Sequence, residues 1–192
     1  MQPPVDPVAD ADLLAEVRRV RAEADCLHPA VEVEAALDRI AERVSADYAA
    51  RNPLVLCVMN GGLMTTAGLL QRLDFPLQSD YLHATRYRGK TTGGALHWRA
   101  RPQHSLVGRA VIVVDDILDE GLTLAAIVDD CREAGAASVA SVCLVEKRRQ
   151  RAHAIEADYV GLQVVDRYLF GYGMDYKDYL RNAPGIFAVK GL

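Results

Sequence analysis

Short unbroken apolar runs alternate along the chain with longer segments in which apolar residues recur every three or four positions. The apolar runs are PLVLCV, AVIVV, SVASVCLV, YVGLQVV and GIFAVK, and the periodic segments cover 10–27, 32–50, 63–73 and 123–134. Unbroken runs are typical of strands buried on both faces, and the longer period is typical of amphipathic helices. We therefore predict an α/β fold with a mostly parallel central sheet flanked by helices.

Other segments have weaker patterns. Residues 79–87 resemble a strand, and 88–108 form a stretch rich in Gly, Thr and Arg with little periodicity, which is typical of a functional lid or a disordered loop. Near the C-terminus we predict a loop over 167–175 and a short helix over 176–182. Residues 1–9 resemble a loose tail. The prediction is one domain over 1–192, with a mobile lid at 86–104.

Composition limits the classes of partner. The chain has 192 residues and a formal net charge of -4, so it has no general electrostatic attraction to nucleic acid or to an anionic membrane. No apolar run is long enough to span a bilayer. Its four cysteines are far apart and form no CxxC pair, which suits a reducing compartment. We expect a soluble cytoplasmic protein that binds neither nucleic acid nor membrane.

An acidic loop follows the apolar run that ends at Val114. The sequence VIVVDDILDEGLTL places Asp115, Asp116, Asp119 and Glu120 directly before a predicted helix. Acids are common as helix caps, but one or two side chains suffice for capping, and neighbouring carboxylates repel each other. A ligand with hydroxyl donors explains the excess of acceptors, and a helix start with a glycine can bind phosphate. Diol and phosphate together indicate a ribose 5-phosphate.

The same stretch resembles the signature of the type I phosphoribosyltransferases. Its strand, paired acids, two apolar residues, Asp, Gly and Thr follow the family pattern, and LCVMNGG, LVEKR and VVDRYLFGYGMDY extend the likeness to the hypoxanthine-guanine branch. The chain departs from the usual pattern at Glu120 and Leu122, which replace Thr and Lys, and at Asn60, where many members have Lys or Arg. The resemblance implies a hood formed by the N- and C-terminal segments.

The resemblance also implies a reaction and the residues that bind its donor. The phosphoribosyl group of phosphoribosyl pyrophosphate (PRPP) would be transferred to a 6-oxopurine, with Asp119 as the catalytic general base or acid. Asp115 and Asp116 would bind the ribose, and Asn60, Gly61 and Arg181 the pyrophosphate, with a cis peptide bond at Met59–Asn60. The 5'-phosphate would bind to the residues of the acidic loop and helix start, which are Asp119, Glu120, Gly121, Leu122 and Thr123.

The purine site is implied by the same family. Lys147 would donate to the 6-oxo group, Tyr168 would stack on the ring, and Leu169 and Asp175 would complete the pocket. Asp175 would also hold Mg²⁺ together with pyrophosphate and waters. Arg86 and Tyr87 would lie at the base of the lid, and the family's usual assembly implies a homodimer or homotetramer.

Simpler interpretations stay open for each of these residues. Met59–Gly62 fits an ordinary turn, Lys147 and Arg181 fit solvated cations, Tyr168 fits a core aromatic, and Asp175 fits a helix cap. A regulator that binds nucleotide and nucleic acid without catalysis is an alternative to the enzyme. Lys147 has only donors, which disfavours adenine, but hypoxanthine, guanine and xanthine all carry the 6-oxo group.

Overall fold

A computed structural model describes residues 11–86, 96–149 and 155–191. Four helices lie in this part of the chain: α1 (Ala11–Glu23), α2 (Ala30–Tyr48), α3 (Leu63–Leu70) and α4 (Leu122–Glu133). The strands are β1 (Asp25–Pro29), β2 (Leu54–Val58), β3 (Gln78–Arg86), β4 (Leu96–Ala100), β5 (Ala110–Leu118), β6 (Ser138–Arg148), β7 (Tyr159–Val165), β8 (Leu169–Phe170) and β9 (Gly185–Ala188). None of the described helices is both long and apolar enough to cross a membrane.

The central sheet has six strands in the order β4-β3-β2-β5-β6-β7. Five of them run parallel, and only β4 is antiparallel to its neighbour. The strand order reverses direction between β2 and β5, so the loops after these two strands diverge at the same edge and leave a crevice between them. This crevice contains the acidic loop and the turn at Asn60. The predicted fold class is confirmed.

Side chains of β5 alternate between two hydrophobic clusters, as the period of a strand requires. Val111 and Val113 pack with Ile127 of α4, and Ile112 and Val114 pack with Ile40 of α2 on the other face. The strand is therefore buried on both faces, which explains its unbroken apolar run. A strand fixed in this way holds the residues that follow it in a defined position.

A second, smaller sheet forms the hood together with α1. Its order is β1-β9-β8, all antiparallel, so it joins the N-terminal segment to the C-terminal segment as the family resemblance implied. Val17 of α1 packs against Phe170 and Phe187, and the two rings stack at 5.5 Å. Leu169 and Ile186 pack on Leu37 of α2, which attaches the hood to the central sheet.

The first predicted helix and the predicted lid differ from the structure. The first helical segment was predicted to run to Leu27, but α1 ends at Glu23 and Asp25–Pro29 form β1, because strand pairing with β9 satisfies this backbone and Pro29 disfavours helix before it. The predicted lid contains a strand: Leu96–Ala100 form β4 as the second arm of a hairpin with β3. Tyr87 and 88–95 lie outside the described residues, as do residues 1–9.

The predictions for the C-terminal segment are wrong at two places. The predicted loop over 167–175 contains β8, which pairs with β9. The predicted helix over 176–182 is instead a tight turn, in which Tyr176 and Tyr179 form an isolated antiparallel β-bridge. Positive φ angles occur in this turn at Lys177, Asp178 and Leu180. Contacts outside the segment explain the turn. Lys177 forms an ion pair with Glu16 of α1 at 2.7 Å, and these tertiary contacts outweigh local helix propensity.

Asp80 of β3 fixes the far end of the β3–β4 hairpin. Its carboxylate accepts hydrogen bonds from the backbone N–H groups of Gln103 (2.7 Å) and His104 (2.9 Å) and lies 2.9 Å from His104 Nδ1. The Asp80 side chain is only 6% exposed. Burial opposes its charge, but these hydrogen bonds lower the pKa of Asp80 below its usual value. The ionised form is therefore the one that stabilises the fold.

We expect Asp80→Asn to lower the free energy of unfolding by about 1–3 kcal/mol at pH 7, since an amide satisfies fewer of these donors. Because the pKa of Asp80 is lower in the folded state, its carboxylate contributes stability that is fully present above the unfolded-state pKa near 3.8. This contribution is lost as the pH falls through the folded-state pKa. The difference from wild type should therefore shrink in strong acid. Urea unfolding at both pH values measures it. Asp129→Asn, at an exposed i,i+3 pair, is the control and should change stability little.

Candidate active site

The paired acids lie within β5 rather than after it. The strand was predicted to end at Val114, but its pairing with β6 continues to Leu118, with Asp115 opposite Cys143. Asp116 is 7% exposed, and burial raises the pKa of both Asp115 and Asp116. The negative charge of Asp116 raises the pKa of Asp115 further. Two buried neighbouring carboxylates are costly unless a ligand or ion engages them. They are suited to accept hydrogen bonds from a diol.

The capping interpretation of the acidic loop is wrong. Helix α4 begins after Gly121, whose φ of 79° is left-handed, and no side-chain cap hydrogen bond forms at its N-terminus among the described residues. The first backbone N–H groups of a helix have no partner within it, and no described side chain takes that place here. Gly121, Leu122 and Thr123 therefore form a helix start suited to bind an anion, and Glu120 is exposed beside it.

The turn after β2 lies directly against the paired acids. Met59–Asn60 is a cis peptide bond, as the family resemblance implied. A Cβ on Gly61 would lie closer than 3.0 Å to the carboxylate of Asp116, and one on Gly62 would collide with the backbone carbonyl of Val114. Gly62 therefore has no room for a side chain, and a side chain at Gly61 would displace the carboxylate of Asp116. Asn60 is exposed at the tip of this turn.

The hood closes the same crevice through Gly173 and Arg181. Gly173 has a φ of 108°, and a Cβ there would collide with the carbonyl oxygen of Gly61. Arg181 donates to the carbonyl of Gly173 at 2.7 Å and forms an ion pair with Asp175 at 2.6 Å. The structure thus brings the predicted pyrophosphate residues Gly61 and Arg181 together with Asp116. Burial raises the pKa of Asp116, and the positive charge of Arg181 acts in the opposite direction.

Asp119 lies at the end of β5, between two cations. Its carboxylate accepts hydrogen bonds from Lys147 Nζ at 3.0 Å and from Arg149 Nη1 at 2.8 Å. Burial opposes the charge of Asp119, but these two hydrogen bonds lower its pKa. Asp119 is therefore ionised near neutral pH, as a proton acceptor must be.

Lys147 belongs to β6 and is buried, with 9% of its surface exposed. It is therefore not a solvated cation. Its ammonium group also lies 3.4 Å from the carboxylate of Asp166. A buried ammonium group with acidic partners is a defined donor at the floor of the crevice.

The other predicted purine residues, Tyr168, Leu169 and Asp175, lie on the hood side. Tyr168 is 44% exposed, so it is not a core residue, and its ring meets Tyr176 edge to face at 5.6 Å. Leu169 is buried in β8, where its backbone pairs with Ala188. Asp175 accepts from the backbone N–H of Asp178 at 2.8 Å, so it caps a turn rather than a helix. Arg86 is the last residue of β3, and Tyr87 lies outside the described residues.

Three residues of this region were missed by sequence reasoning. Gly173 lies within GYGMD, and the pair of glycines two residues apart was the available signal for a close backbone approach. Arg149 follows LVEKR directly and was assigned no role, although it contacts Asp119. Asp166, after β7, lies in the quoted motif VVDRYLFGYGMDY but was assigned no role, because its partners Lys147 and Arg149 come from β6 and the residue that follows it.

Fold and site together define a class of protein. The family of the phosphoribosyl transferase domain matches residues 23–178, and the chain belongs to this family. The hypoxanthine-guanine phosphoribosyltransferase of Streptococcus pneumoniae is 32% identical over 160 residues, covering 83% of this chain and 89% of that protein. The bifunctional protein TilS/HprT of Listeria innocua is 36% identical over 160 residues, and the chain spans 25% of its length.

A solved structure agrees with these relatives. The hypoxanthine phosphoribosyltransferase of Staphylococcus aureus superposes with a TM-score of 0.82 at 27% identity, covering 86% of this chain and 91% of that one. The membership predicted from the acidic loop and its companion motifs is therefore confirmed.

Proposed function

We propose that the protein is a purine salvage enzyme that transfers the phosphoribosyl group of PRPP to N9 of hypoxanthine or guanine, giving IMP or GMP and pyrophosphate. The observation that carries the proposal is the pairing of an ionised acid, Asp119, with a buried donor, Lys147, beside the carboxylates of Asp115 and Asp116. Similarity to hypoxanthine-guanine phosphoribosyltransferases over most of the chain supports it.

PRPP would be bound along the ends of β2, β5 and α4. Asp115 and Asp116 accept hydrogen bonds from the ribose hydroxyl groups, and the amides from Asp119 to Thr123 surround the 5'-phosphate, with Gly121 allowing close approach. Glu120 and Leu122 add no cation to this phosphate site, so the backbone and helix N-terminus supply its positive potential. Asn60, Gly61 and Arg181 bind the leaving pyrophosphate.

Catalysis would follow from how charge develops in this crevice. As pyrophosphate departs, positive charge grows on the ribose ring, and the carboxylates of Asp115 and Asp116 stabilise it. Asp119 takes the proton that the purine releases and acts as general base. Lys147 donates to the 6-oxo group, and Tyr168 and Leu169 hold the purine in position. Arg86 and Tyr87, at the base of the lid predicted from the sequence, would help to exclude water from the reacting groups.

Mg²⁺ fits the residues present. Among the described residues no three acidic, His or Cys side chains are grouped to hold a metal by themselves. Mg²⁺ is commonly held by one or two carboxylates together with substrate phosphates and waters. Asp175 and the paired acids of β5 supply such oxygens. The ion would neutralise the pyrophosphate when bound.

A purine panel at fixed PRPP tests the function. Nucleotide formation should be measured with hypoxanthine, guanine, xanthine and adenine, and we expect turnover with the 6-oxopurines and little with adenine. A transferase that prefers xanthine would differ only in the ranking within the panel. Nucleotide binding without turnover on any base would instead favour the regulatory alternative.

We expect Lys147→Ala to lower kcat/KM for hypoxanthine by about 10-fold to 100-fold, because a charge-assisted hydrogen bond to the 6-oxo group is worth about 1.5–3 kcal/mol. The loss should be smaller for a purine that lacks this group. Arg148→Ala is the matched control, since Arg148 is adjacent but exposed and donates to Gln163. Equal losses on both purines would show that Lys147 does not contact the 6-oxo atom.

We also propose that the enzyme is a homodimer or homotetramer in the cytoplasm. Two exposed apolar side chains, Leu63 (49%) and Tyr81 (46%), line an open cavity of about 420 Å³ beside α3. Such a patch is typical of an interface. All four cysteines are free, which fits a reducing compartment.

Light scattering coupled to size-exclusion chromatography measures the assembly. We expect Leu63→Glu with Tyr81→Glu to shift the protein towards monomer, because burial of two carboxylates in an apolar contact is unfavourable. Val31→Glu, at a still more exposed apolar position on α2 (73%), should leave the assembly unchanged. A wild-type monomer would contradict the proposal.

A further inference from the structure

Arg149 is a cation that the proposed reaction leaves without a role. It follows β6 directly, and its side chain is 32% exposed. Its guanidinium group donates to Oδ1 of Asp119 at 2.8 Å, whereas Lys147 donates to Oδ2 at 3.0 Å. The two oxygens of the proposed general base are therefore held by different cations. Arg148, between them in sequence, points away and donates to Gln163.

Asp166 completes a cluster of four charges. Its two oxygens lie 3.4 Å from Lys147 and 3.6 Å from Arg149, so each cation of the cluster lies near both acids. The members come from the ends of three neighbouring strands: Asp119 follows β5, Lys147 and Arg149 lie at the end of β6, and Asp166 follows β7. Because parallel strands end at one edge, this cluster lies together at the floor of the crevice where the purine is proposed to bind.

A conflict arises when a purine binds. Lys147 must turn from Asp119 towards the 6-oxo group of the purine, and it then no longer holds Oδ2 of Asp119. An acid held only by Lys147 would follow the ammonium group or lose its fixed orientation. The bond from Arg149 to the other oxygen does not involve Lys147, so it can persist while the purine is bound.

We propose that Arg149 is a positioning residue for Asp119. It holds Oδ1 of the carboxylate, so that Oδ2 stays directed to the purine proton after Lys147 has moved to the 6-oxo group. Asp166 balances the charge of both cations while this exchange takes place. The role rests on the proposed function, because it requires Asp119 to act as the proton acceptor.

The charges around Asp119 give the sign of a pH effect. Lys147 and Arg149 face it from β6, Asp166 from the end of β7, and Glu120 lies next to it in its own loop and acts on Arg149. Among the described residues, Arg149 is one of two cations that favour the ionised acid, so its removal raises the pKa of Asp119. The acidic limb of kcat/KM should then move to higher pH, by about one pH unit for a lost neighbouring charge.

The test compares Arg149→Gln, Arg149→Lys and Arg148→Gln with wild type. For Arg149→Gln we expect kcat with hypoxanthine to fall about 10-fold, since a mispositioned base is a poor one, while KM for PRPP changes less than twofold. The acidic limb should shift upward in the same variant. Arg149→Lys should restore part of both properties, and Arg148→Gln, which changes the same charge one residue away, should match wild type.

The outcomes separate the possible explanations. Unchanged kcat and an unchanged acidic limb in Arg149→Gln would overturn the positioning role, and so would a lower melting temperature with normal kinetics, which indicates a surface ion pair only. An equal effect of Arg148→Gln would also overturn it, because general charge would then be responsible. Failure of the wild-type protein to use any 6-oxopurine would refute the proposed function itself, whereas wild-type turnover with no effect of Arg149 would refute the positioning role alone.

Discussion

Asp119→Asn is expected to lower turnover with hypoxanthine by about 10²–10⁴-fold, the usual contribution of a positioned general base. The amide keeps the shape of the side chain but cannot take the purine proton. PRPP binding should change little, because the paired acids of β5 and the helix start of α4 are not altered. Steady-state kinetics and a separate PRPP binding measurement determine both quantities on one variant.

A structural role for Asp119 predicts a different result. The loss of ion pairs with Lys147 and Arg149 would lower the melting temperature and leave turnover nearly normal in the folded fraction. Asp166→Asn is a suitable comparison, because it removes the other carboxylate of the same cluster without removing the proposed base. Its effect on kcat should be much smaller. Near-wild-type turnover in Asp119→Asn would end the catalytic assignment.

Much of the sheet could be predicted from the sequence because its central strands β2, β5 and β6 are buried on both faces. The runs at Leu54–Val58 and Ala110–Val114 are short, unbroken and apolar, which is the pattern of a strand in a covered parallel sheet. The position of the site followed from the same strands, since the acids come directly after an apolar run. Local pattern was sufficient where burial alone determines the element.

Sequence reasoning failed where contacts between distant segments determine the structure. β1 forms because it pairs with β9, which is distant from it in the sequence. The turn at Lys177 depends on its ion pair with Glu16 of α1. The same limit applies to the site. Arg149 contacts Asp119 and Asp166 only because β5, β6 and β7 lie side by side in the sheet. A run of basic residues in the sequence by itself indicates a solvated surface. Only the folded structure shows that Lys147 and Arg149 contact Asp119.

The contact between Gly61 and Asp116 leads to the second large expected effect. A Cβ on Gly61 would meet the side-chain carboxylate of Asp116, whereas a Cβ on Gly173 would meet the backbone carbonyl of Gly61. A side chain can rotate away more easily than backbone can shift. Gly61→Ala should therefore fold and displace Asp116, and Gly173→Ala should mainly lower stability.

For Gly61→Ala we expect kcat/KM for PRPP to fall by about 10²-fold, because a displacement of about 1 Å in a group that binds substrate has that effect. The melting temperature should change by only a few degrees. Gly108→Ala is the control for Gly173→Ala, since Gly108 also has positive φ but nothing lies within 4 Å of its Cβ position. The loss of stability should thus be larger at Gly173.

A double-mutant cycle shows whether Asp116 transmits the effect of Gly61→Ala. In Asp116→Ala the carboxylate is absent, so adding Gly61→Ala removes nothing further from the ribose contacts. We expect the two substitutions to be strongly non-additive, with the double variant close to Asp116→Ala alone, as is typical of residues in direct contact. Additive losses would mean that Gly61 acts on pyrophosphate through its own backbone and not through the acid beside it.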